Sequence, residues 1–111
     1  MSESLIDKAI FAALQDAAGA EFVNELVGTF LEEAPVMLAE LRSAQTSGTA
    51  DAFRRAAHSL KSNSHTFGAT RLGELARDLE LGGMIADTAP LDALQAEYLR
   101  AAAALKGLCG G

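Results

Sequence analysis

The sequence has no tryptophan, one tyrosine, one cysteine and two prolines, and each scarcity removes a class of protein. With only five phenylalanines beside that tyrosine, a core has to be built from Leu, Ala, Val and Ile. The lone Cys109 can form neither an internal disulfide nor a multi-cysteine metal site. A reducing, cytoplasmic setting follows, with Cys109 itself read as an incidental tail residue. Few prolines among many Ala and Leu favour helix over sheet. No apolar run approaches the ~20 residues that a membrane helix needs, and the N-terminus lacks a signal-peptide pattern. Positive charge is also short: nine Lys and Arg against fifteen Asp and Glu leave a net charge of -6. That balance argues against nucleic acid as the main partner, because phosphate backbones are bound by dense basic surfaces.

What is present is helical periodicity. The 111 residues, half of them hydrophobic, suit one domain spanning 1–111 with a compact core. Apolar spacing predicts five helices, at about 5–17, 21–46, 50–67, 71–81 and 89–108. The first carries a stripe of Leu5, Ile6, Ala9, Ile10, Ala13, Leu14 and Ala17, with Phe11 almost opposite and therefore expected at the surface. The second is apolar around nearly half its circumference, wide enough for two neighbours. Pro35 inside it should bend the helix without breaking it. Gly68 is a good stop for the third, Thr70 a cap for the fourth, and Thr88 with Pro90 a start for the fifth. Short links force neighbouring helices to run antiparallel. The predicted architecture is all-α: an up-down-up-down four-helix bundle with the short N-terminal helix capping it.

The stretch AHSLKSNSHTFGA, from Ala57 to Ala69, holds both histidines. On a wheel at ~100° per residue, Phe53, Ala56, Ala57, Leu60, Ser64 and Phe67 form the core stripe of the third helix. His58 falls roughly 160° from its centre, with Ser62 beside it, His65 and Arg55 on nearly the same face, and Arg54 and Lys61 flanking. An exposed neutral imidazole is a competent nucleophile. A lysine at i+3 can offset the charge of a phosphoryl group placed on it. Ser62 at i+4 is small enough to leave the ring open to another protein's active site. Nothing in the stretch supplies a general base, a nucleotide loop or a metal cage. By composition alone an ordinary solvated face looks the same, and the residues leave both readings open.

Those residues resemble the signature of histidine-containing phosphotransfer (HPt) domains, H-x-L-K-G-x-x-x-x-x-G-A, which His58, Leu60, Lys61, Gly68 and Ala69 match. Phe30-Leu31-Glu32-Glu33-Ala34-Pro35 with Leu38 and Leu41-Arg42, Arg54-Arg55-Ala56-Ala57, and Leu72, Leu75, Ala76 and Leu79-Glu80 are also similar to the family. The resemblance extends over about residues 5–107. It implies a phosphorelay intermediate rather than an enzyme. His58 would take a phosphoryl group from a receiver-domain aspartate or a histidine kinase and pass it to a response-regulator receiver, with Lys61 as its charge partner. Arg54, Arg55, Ser62 and His65 would surround the group, and His65 is expected to be merely exposed. Mg²⁺ would come from the partner receiver, with no cofactor or metal held by this chain. The departure is Ser62, where the family usually has glycine.

Three alternatives stand beside this reading. A kinase dimerisation domain normally has an acid just after its histidine, where this chain has Ser59, and no nucleotide-binding stretch follows. A metal site on His58 and His65 would have to bridge two helical turns, roughly 10 Å, without the inward Glu-x-x-His pairs of di-metal bundles. A helical interaction scaffold without phosphotransfer is compatible with the periodicity. For docking, Phe11 and Leu14 are the apolar candidates, and nothing in a closed bundle demands more than a monomer.

Overall fold

A computed structural model describes residues 5–109. It consists of five helices: α1 (Lys8–Ala18), α2 (Ala20–Ser47), α3 (Ala50–Thr66), α4 (Thr70–Gly82) and α5 (Ala89–Leu108), with no strand among the described residues. α2 packs on α3 and α5, and α4 packs on the same two; α1 touches α2 and α3. The long helices therefore close into a ring around one hydrophobic core.

Each boundary has a local cause. α1 starts later than the apolar spacing predicts because Asp7 caps it, its Oδ1 accepting from the Ala9 and Ile10 amides at 3.0 and 3.2 Å. Ile6 then stands just outside the cap and Phe11 four residues inside it, the spacing of a hydrophobic staple. Both are buried, at 2% and 3% exposure. This corrects the expectation for Phe11: the ring is core, while Ala9, Ile10, Ala13 and Ala17 face outward. Phe11 is thus no surface docking residue, and Leu14 is half-buried against the core.

α2 runs unbroken through Pro35. Proline at 35 cannot donate to the Leu31 carbonyl, four residues earlier. The Tyr98 hydroxyl of α5 donates to that carbonyl instead, at 3.3 Å. The Tyr98 ring meets Phe30 edge-on, with centroids 6.1 Å apart, a favoured aromatic geometry.

All six predicted core residues of α3 and its end, from Phe53 to Phe67, are buried. Gly68 then takes a left-handed φ of +83°, and its carbonyl accepts the Asp7 amide at 2.7 Å. A β-carbon at Gly68 would lie 2.7 Å from the Asp7 oxygen, so the close approach needs glycine here. The tight turn starts α4 one residue early. Thr70 is its first helical residue rather than its cap, and Ala69 occupies the cap position with no side-chain bond. Ala69 itself is fully buried, its amide donating to the Ser64 carbonyl at 2.9 Å.

Candidate functional site

α3 carries the site because its buried face is so regular. Ala57 and Leu60 are fully buried on either side of His58, which locks the helix in rotation. The His58 side chain remains 54% exposed. Across the turn, α4 follows the same logic: Ala76 and Leu79 are buried, so Glu80, next to Leu79, falls at the edge of that face and points toward α3.

Glu80 joins the elements of the site. Its Oε2 lies 2.7 Å from Nδ1 of His58, and its Oε1 lies 2.8 Å from Nζ of Lys61. The second contact is off the ideal hydrogen-bond angle, leaving Oε1 without an aligned donor, so it acts as a charge pair. The Lys61 ammonium and then the His58 ring hold the Glu80 carboxyl below its usual range. An ionised carboxylate only accepts. The ring must therefore carry its proton on Nδ1 and donate it to Glu80. In the neutral ring the lone pair then falls on Nε2, which no hydrogen bond reaches among the described residues.

The arginines are less available than the sequence implies. Arg54 Nη2 sits 2.9 Å from Asp51 Oδ1, and Arg55 Nε 3.1 Å from Asp51 Oδ2. Hydrogen bonding by Arg54, followed by the charge of Arg55, lowers the Asp51 pKa. Ser62 is exposed beside Lys61. Among the described residues there is no group of three or more His, Cys, Asp or Glu that could hold a metal ion.

The Hpt domain model matches residues 25–109. This chain belongs to the Hpt domain family. The crystal structure of histidine-containing phosphotransfer protein B (HptB) from Pseudomonas aeruginosa PAO1 is similar to it: 28% identity, 98% of this chain and 94% of that one covered, TM-score 0.75. A comparison with curated protein sequences finds no match. The function of this Hpt domain is histidine phosphotransfer in a phosphorelay.

Of the residues expected at the Hpt site, the structure brings His58 and Lys61 together through Glu80 and places Arg54 and Arg55 one turn before. His65 is exposed, as expected. Its ring lies against the α4 backbone, so close that a β-carbon at Gly73 would be 2.6 Å from its Nε2. Glu80 is the residue that sequence reasoning missed as a site member. The signal for it is an acid at the margin of the α4 core stripe, facing a helix whose exposed face is cationic.

Proposed function

We propose that His58 is the phosphoryl acceptor of this Hpt domain. The observation that carries the reading is the exposed ring with Nδ1 bound to Glu80 and Nε2 open. Nε2 attacks the phosphorus of a group presented by a receiver-domain aspartate or by a histidine kinase, and later yields the group to a response-regulator receiver. Lys61, already within reach of the ring's partner, supplies positive charge to the incoming phosphoryl oxygens. Arg54 and Arg55 lie one turn away and Ser62 leaves the approach open, while His65 serves packing against Gly73. This chain is a carrier: the acidic residues and Mg²⁺ that drive transfer belong to the receiver.

The contact pattern supports a bundle of α2 to α5, which we read as antiparallel up-down-up-down with α1 as cap, in a single domain acting as a monomer. No helix among the described residues is long and apolar enough to cross a membrane, in keeping with a cytoplasmic carrier. The test is incubation with a phosphorylated receiver domain. Acid-labile, base-stable label is expected on this chain, lost in His58→Gln with helicity intact and little changed in His65→Ala. Label that survives His58→Gln, or no label from any of many receivers, would reject the assignment; the latter favours an interaction scaffold.

A further inference from the structure

The Glu80 contact has two separable parts, a hydrogen bond that orients the ring and a negative charge beside it. An amide oxygen would provide the first without the second. For transfer, the charge bears most on the ring once it is phosphorylated. When Nε2 forms its bond to phosphorus, the P–O bond of the donor breaks and its electron pair leaves with the donor carboxylate. Nδ1 keeps its proton, so the neutral ring becomes a cation with no proton taken up or released. On unloading, the N–P pair returns to Nε2, a P–O bond forms on the receiving aspartate, and neutral imidazole departs. Had Nδ1 lost its proton in between, the departing group would be imidazolate, a far poorer leaving group.

We infer that Glu80 is a positioning residue whose carboxylate keeps the proton on Nδ1 through the phosphorylated state, so that the stored group stays ready for transfer. The inference rests on the reading of His58 as carrier. The surrounding charges make it specific to Glu80. On α3, Lys61, Arg54 and Arg55 are cations that disfavour a charged ring. Asp51 is taken up by the two arginines. On α4, Arg77 lies one turn before Glu80. On α2, Glu40 lines the open cleft that Arg55 and Ser59 also line. α1 brings Asp7 only to Gly68, ten residues along from His58, and its Lys8 and Asp16 face solvent. α5 does not pack on α3. Among the described residues Glu80 is the acid within hydrogen-bond distance of the ring.

The test loads the protein with phosphoramidate, a small donor that needs no partner. It then follows transfer to a receiver domain as a function of pH for wild type, Glu80→Gln and Glu80→Ala. Removing an opposite charge at this distance moves a titration by about 1–3 pH units. The alkaline fall-off in the transfer rate of Glu80→Gln should therefore sit that much lower than in wild type, at least about tenfold slower where only the wild-type ring is protonated. Both proteins should transfer alike at acidic pH, and Glu80→Ala should lose orientation as well. As a second readout that needs no variant, ¹⁵N NMR of the phosphorylated wild type should show Nδ1 keeping its proton to higher pH than phosphohistidine in an unstructured peptide. Superimposed pH profiles, or a ring that titrates like the peptide, would overturn the role of Glu80 while leaving His58 as carrier. Failure to place any label on His58 would overturn both.

Discussion

Proline at 35 and tyrosine at 98 form a matched pair, and a double-mutant cycle can show it. Pro35 leaves the Leu31 carbonyl without its helical donor, and Tyr98 fills the vacancy from α5 at 3.3 Å. The bond is long for O–H···O and only part-buried. Its net worth is therefore in the ordinary range of about 0.5–1.5 kcal/mol, not the larger cost of a sealed orphan. Tyr98→Phe keeps the ring against Phe30 and removes only the hydroxyl. We expect it to cost about 1 kcal/mol, a fall in Tm of about 4–8 °C for a domain near this size. In a Pro35→Ala background the residue-35 amide can bond the same carbonyl, so the hydroxyl loses its task. There Tyr98→Phe should be nearly neutral, giving a coupling energy of about 1 kcal/mol by urea or thermal unfolding. Equal losses in both backgrounds would refute the pairing and leave the hydroxyl as a partner of something other than the freed carbonyl.

Phe11→Ala should cost about 3–5 kcal/mol by denaturant unfolding, as for other fully buried phenylalanines, while transfer per folded molecule stays unchanged; a selective loss of transfer would restore Phe11 to the docking surface. Gly68→Ala should destabilise by about 1–2 kcal/mol from its left-handed φ alone, and by more because of the Asp7 oxygen, with the loss read from the same unfolding curves. The lowered Glu80 pKa also has a stability consequence. Its folded value lies below the ordinary 4.5 of a free glutamate, so the contribution is present above that pH and is lost as pH falls through the folded value. The urea midpoint of wild type should therefore drop on acidification below about pH 4.5 more steeply than that of Glu80→Gln; parallel curves would contradict the pairing.

Legibility of the fold in the sequence followed side-chain size. On α3 the core positions are large or lie between large ones, and the wheel placed all of them, and His58 opposite, correctly. On α1 the apolar stripe was mostly alanine, which covers little area. One staple made by Ile6 and Phe11 outweighed it and turned the helix by its cap. The cap at Thr70 failed for a related reason: its position depends on the turn that Gly68 makes with Asp7, a contact between distant parts of the chain. The candidate site divides in the same way. His58 and Lys61 share one helix, so their proximity follows from the helical repeat. Glu80 comes from another helix, 22 residues on, and its reach depends on how α3 and α4 meet. The Asp51 pairs that occupy Arg54 and Arg55 lie at i+3 and i+4. They were readable from spacing, and only the resemblance drew attention to the arginines as a phosphate collar.

The seam between Asp7 and Gly68 gives the start of the chain leverage over events well away from it. That backbone clasp sits on the corner from which the acceptor helix and the helix bearing its carboxylate both depart. Prising it open would let the two splay, and a gap of 2.7 Å between ring and acid tolerates very little splaying. Weakening that clasp should thus blunt phosphate handling.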